Sequence, residues 1–91
     1  MTAKFRLGHI LATHNANDTI HPEDRLQALM RHVSGDWGNV CPEDAALNDA
    51  ALTPGEEGRI LSVYTDRADV TFWIITEWDR SVTTILLPED Y

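Results

Sequence analysis

Hydrophobic and polar positions alternate from Lys4 to Ala12, with Phe5, Leu7, His9 and Leu11 on one side and Lys4, Arg6, Gly8 and Ile10 on the other. A period of two predicts a half-buried strand, and it sets His9 on the apolar side as a hydrogen-bonded core residue. Thr13 to Thr19 is polar and rich in turn formers, and reads as a loop. The period then changes. Leu26, Leu29, Met30 and Val33 fall at i, i+3, i+4 and i+7, which predicts a helix with that stripe buried. Pro22 suits its first position, where a missing N–H has no partner to lose, and Glu23 and Asp24 lie at the positive end of the helix dipole. Gly35 provides a left-handed stop. Cys41-Pro42-Glu43-Asp44 echoes His21-Pro22-Glu23-Asp24 and opens a second helix. Its apolar stripe is narrower, Leu47, Ala50 and Ala51, and Thr53-Pro54-Gly55 ends it.

After Gly58 the period returns to two. Arg59 to Thr65, Val70 to Glu77 and Val82 to Leu87 read as three strands separated by turns at Asp66 to Asp69 and Trp78 to Ser81. The middle strand is apolar on both faces, as a central strand should be. A third Pro-Glu-Asp, at Pro88, comes too close to the end for a helix and reads as an exposed tail. The order is β-α-α-β-β-β over one domain, residues 1–91. The economical arrangement is an α+β, two-layer fold: a four-stranded, mainly antiparallel sheet with two helices on one face. The first strand is expected at an edge or beside the last strand.

Charge changes the functional picture. Seven Lys and Arg stand against fifteen Asp and Glu, a formal net charge of −8. Residues 1–40 hold four of each sign, so the whole excess falls after residue 40, where three basic groups face eleven acidic ones. Such a half repels a phosphate backbone, which disfavours direct nucleic-acid binding and favours a basic surface on another protein as the partner. Cys41 is the single cysteine, and no export signal or membrane-spanning run is present, so a cytoplasmic setting is expected.

Candidate chemistry is sparse. His9, His14, His21, His32 and Cys41 show no ligand spacing, so neither a metal nor a cofactor is expected. Cys41 sits just before a helix start, a place compatible with a lowered thiol pKa, but nothing beside it in sequence marks it as a nucleophile. An enzymatic alternative is a RelE-like ribonuclease toxin. It would use His32 with Arg59, Tyr64 and Arg80, and a carboxylate such as Glu77, because phosphodiester cleavage needs a proton acceptor, a donor and a cation. Against it stands the shortage of cations. The binding candidates are Asp36, Trp37, Asp44, Trp78 and Asp79. Trp37, between glycines, reads first as a packed anchor with Asp36 capping its turn, whereas Trp78 lies at a turn where an exposed indole serves as an interface anchor.

The segments Lys4 to Thr13, His32-Val33-Ser34-Gly35-Asp36-Trp37-Gly38, Trp73-Ile74-Ile75-Thr76-Glu77 with Asp79-Arg80-Ser81, and Thr83 to Tyr91 together resemble a family of small plasmid-related proteins. The likeness spans nearly the whole chain and departs at Thr13 to Pro22. It implies residence on a mobile element, where small acidic proteins inhibit host defences by presenting carboxylates in place of DNA phosphates. The resulting expectation is a non-enzymatic interaction module. A homodimer formed through an exposed sheet edge is a further reading.

Overall fold

Gly8 decides where the first strand begins. The computed structural model describes residues 3–91, and in it Gly8 has φ +64° and backs onto the backbone of Arg80 and Ser81, where a Cβ would collide with the Ser81 carbonyl, so a side chain has no room. The kink cuts the expected strand to β1, His9–Ala12, and breaks the alternation before it. All four β1 residues are exposed, so His9 is a surface residue rather than part of the core. Residues before the kink turn toward the helices instead, with the Lys4 N–H donating to the Val33 carbonyl at 2.8 Å.

The expected loop at Thr13 to Thr19 is a helix, α1, His14–Thr19. Its cap explains it: Thr13 Oγ1 accepts from the Ala16 N–H at 3.1 Å, and Ala16 and Ile20 are buried. The helix α2, Pro22–Val33, starts with Pro22 in its first turn, and His21 Nδ1 caps it by accepting from the Glu23 N–H. It stops where expected, at Gly35, with φ +90°. The helix α3, Pro42–Ala50, follows. Three strands complete the chain: β2, Ile60–Thr65; β3, Thr71–Thr76; and β4, Val82–Leu86. A 3₁₀ turn at Pro88–Asp90 replaces the expected free tail, because Asp90 accepts from Thr13 Oγ1 at 2.6 Å, Asn15 Nδ2 at 2.7 Å and the Leu87 N–H at 3.0 Å.

The class is α+β, but the sheet is mixed rather than mainly antiparallel, and among the described residues there are three α-helices rather than two. Strand order is β1-β4-β3-β2. The β2–β3 and β3–β4 pairs are antiparallel, and β1 lies parallel to β4 at the edge, His9 opposite Val82 and Ala12 opposite Ile85. Chain order permits this: β1 reaches β4 only after a long connection through the three helices, β2 and β3, as parallel pairing requires.

The buried helix faces differ from the apolar stripes. On α2 the buried residues are Ala28 and His32, while Leu26 and Met30 are exposed; on α3 Asn48 is buried and Leu47 is exposed. The sheet supplies the reason. Its inner face carries the hydroxyls of Ser62, Thr76 and Thr83, which need hydrogen-bonding partners, so the helix turns a histidine toward them rather than a leucine. Ala16, Ile20 and Ala28 pack with Tyr64, Phe72, Ile74, Ile85 and Leu87 in one cluster, and Trp37, Ala51 and Ile60 form a second.

Candidate functional site

His32 has no solvent exposure and lies at the centre of a directed hydrogen-bond chain. Thr83 Oγ1 donates to the Leu7 carbonyl at 2.7 Å, which uses its only hydrogen. The 2.7 Å contact between Thr76 Oγ1 and Thr83 Oγ1 must therefore be donated by Thr76. Thr76 then accepts from His32 Nε2 at 2.9 Å, so the ring carries its proton on Nε2, and Nδ1 accepts from Ser62 Oγ at 2.5 Å. Phe5 meets the imidazole edge-on with ring centroids 5.2 Å apart, and Trp37 does so at 6.0 Å. Burial, with the nearby Arg80 charge second, pushes the His32 pKa down to about 3. This is a neutral, structural imidazole whose ring nitrogens both meet protein hydroxyls.

The other residues of the enzymatic alternative are likewise engaged by the protein. The Tyr64 hydroxyl donates to the Asp36 carbonyl at 2.6 Å, and burial raises its pKa to about 12. Arg59 donates to the Tyr91 hydroxyl at 2.8 Å and pairs with Glu77 at 3.5 Å. Arg80 is aimed at backbone: its Nη1 reaches the carbonyls of Gly58, Glu77 and Trp78 at 2.7, 3.1 and 3.2 Å, and its Nη2 reaches that of Ala51 at 2.8 Å. Its own φ is +60°, and it lies over the Phe5 ring.

Arg80 thereby positions an exposed surface. Its guanidinium ties the end of α3 (Ala51), the loop after it (Gly58) and the β3–β4 turn (Trp78) into one corner. Between Arg31 and Arg59 the chain holds six carboxylates, Asp36, Glu43, Asp44, Asp49, Glu56 and Glu57, and no Lys or Arg. Leu47 stands out of α3 among them, 67 % exposed, and Trp78 on the adjoining turn is 62 % exposed. Asp79 beside it accepts from the Ser81 N–H and hydroxyl at 3.1 and 2.6 Å, bonds that hold its carboxyl below the usual range. Asp44 occupies the first turn of α3, half-buried. At Cys41 the Asp44 N–H favours the thiolate, but desolvation and the carboxylates of Glu43 and Asp44 outweigh it, so the thiol pKa is raised, not lowered.

Trp37 belongs to the interior. Its Nε1 donates to Asp49 at 2.9 Å, its carbonyl accepts from the Val63 N–H at 3.0 Å, and the ring is buried. Asp36 takes Arg31 in a two-point contact at 2.8 and 3.2 Å, which holds its carboxyl low. A cleft of about 250 Å³ is lined by Asp24, Gln27, Arg31, Tyr64 and Arg67 among others. Each of its arginines is already neutralised, Arg31 by Asp36 and Arg67 by Asp24 at 2.9 Å, so it offers an anion little. Among the described residues no three His, Cys, Asp or Glu side chains gather as a ligand set, and no helix is long and apolar enough to cross a membrane.

Comparison of the chain with protein-family models, curated proteins and solved structures finds no match. Half-buried Asp44 and exposed Trp78 and Asp79 lie on α3 and on the turn that Arg80 ties to its end, whereas Asp36 and Trp37 hold the linker against β2. Sequence reasoning missed the role of Arg80, which has no local signature, because a guanidinium that binds carbonyls looks in sequence like any surface cation.

Proposed function

We propose that this chain is a non-enzymatic protein-interaction module that engages a basic protein surface through the corner built from α3, the loop after it and the β3–β4 turn. The observation that carries the reading is the set of five carboxylates between Asp36 and Arg59 (Glu43, Asp44, Asp49, Glu56 and Glu57), none of them in an ion pair among the described residues, with Leu47 exposed in their midst. Uncompensated charge steers a basic partner in, and exposed Leu47 and Trp78 give it apolar anchors once desolvated. The specific form of the reading is a mobile-element protein of the cytoplasm that presents carboxylates to a DNA-binding defence protein in place of phosphates. The neutral, sealed state of His32 supports a non-catalytic role, since a general base must reach its substrate's proton.

The test is affinity capture from host lysate with the native chain and with a Glu43→Gln, Glu56→Gln, Glu57→Gln variant, at low and high salt. A partner held by the native chain, released as salt rises, displaced by duplex DNA and lost in the variant is the expected result. Capture that is indifferent to both salt and the substitutions overturns the reading.

A further inference from the structure

The exposed apolar side chains gather at a second place, on the neutral half of the chain. Ile10, Leu11, Leu26 and Met30 are 51, 53, 60 and 44 % exposed, and a groove of about 280 Å³ runs between β1 and α2, lined by Ile10, Ala12, Leu26, Leu29 and Ile85 among others. Beside it β1 ends the sheet among the described residues. The His9 N–H bonds the Ser81 carbonyl and the Thr13 N–H bonds that of Ile85, so by alternation the backbone groups of Ile10 and Ala12 point away from β4. Natural edge strands are blunted by Lys, Pro or bulges, and this one instead offers Ile and Leu.

We propose that β1 pairs antiparallel with β1 of a second copy, joining two sheets across a two-fold axis at Leu11. The register follows from which groups are free. With Leu11 opposite Leu11, Ile10 of one protomer faces Ala12 of its partner twice over, and the outward N–H and C=O of all four residues are satisfied. A large side chain then meets a small one on the groove side, while the two Leu11 side chains meet on the other. Charge selects this direction. Arg6 is exposed in the segment that leads into β1, and at the other end of the strand Asp90 is held by Thr13 and Asn15; antiparallel pairing brings the start of one β1 to the end of the other, whereas parallel pairing sets the two Arg6 segments side by side. The approach also uses the half of the molecule without net charge, so two chains of −8 meet where they repel least. The inference is independent of the acidic corner, which stays free in the dimer.

Sedimentation of the full chain across micromolar concentrations reads the mass, and oxidation of single-cysteine variants in a Cys41→Ser background reads the register. The expected result is a dimer that Ile10→Lys weakens more than about tenfold while circular dichroism is unchanged. Leu11→Cys should cross-link, because directly opposed residues of a non-hydrogen-bonded pair have a Cα separation a disulfide accepts, whereas Ile10→Cys, facing Ala12, should not. A chain monomeric at every concentration, a dimer indifferent to Ile10→Lys, or one that cross-links at position 10 and not at 11 overturns the proposal.

Discussion

His32 Nδ1 and Ser62 Oγ lie 2.5 Å apart, joining the last full turn of α2 to the middle of β2 across 30 residues of sequence. The other ring nitrogen continues through Thr76 and Thr83 to the Leu7 carbonyl, so one imidazole links α2, three strands' worth of backbone and the segment before β1. Every buried side-chain nitrogen and oxygen among the described residues has a partner, and this chain accounts for the deepest of them.

His32→Ala should therefore be costly: it leaves the Ser62 hydroxyl without its acceptor, takes from Thr76 the donor that completes its bonding, and opens a cavity beside Phe5 and Trp37, a loss of about 3 kcal/mol. Urea denaturation measures it. A cycle of His32→Ala and Ser62→Ala should show coupling of about 1 kcal/mol, since the second removal leaves nothing further unsatisfied.

Stability should fall with acid in a window set by the same ring. The folded pKa is about 3 against an ordinary value of 6.5, so between those values the unfolded chain takes up a proton that the folded chain refuses. With more protons on the unfolded state, stability rises with pH, by about 1.4 kcal/mol per pH unit through that window. Denaturation midpoints at pH 7 and pH 5 test this; the drop between them should shrink in a His32→Gln variant. Asp24, Asp36, Asp79 and Asp90, held low by their donors, add acid sensitivity only below the ordinary carboxylate range.

Arg80→Lys should destabilise by about 2 kcal/mol, although it keeps the charge, because an ammonium cannot reproduce a planar fork that reaches the carbonyls of Ala51, Gly58 and Trp78 together. Thermal unfolding followed by tryptophan fluorescence checks it. Loss of partner capture in the same variant, with the fold retained at low temperature, would show that the corner depends on this clamp.

Two adjacent residues of α3 should respond in opposite ways. Leu47→Gln should leave stability within about 0.5 kcal/mol, since the side chain is exposed. Asn48→Ala should cost about 2 kcal/mol, because the amide both donates to the Leu61 carbonyl at 2.8 Å and accepts from its N–H at 3.1 Å, closing the free edge of β2. Side-by-side urea titrations distinguish them.

The sequence by itself determined most of the chain's elements: Pro22 and Pro42 at helix starts, Gly35 at a stop, and the three later strands by their period of two, all of which depend on neighbours a few residues away. It determined the α+β class and the placement of charge. It did not determine α1, whose cap needs Thr13 held in place and whose Ala16 finds its core only in the folded chain. Nor did it determine which helix faces are buried. The apolar stripes at Leu26, Met30 and Leu47 follow hydrophobicity, but the tertiary structure buried His32 and Asn48, because the sheet they meet carries hydroxyls and an open backbone edge that only polar partners satisfy. The direction of β1 and the role of Arg80 are decided there too. A strand's pairing direction and a guanidinium's acceptors depend on backbone far away in sequence, and no local pattern encodes them.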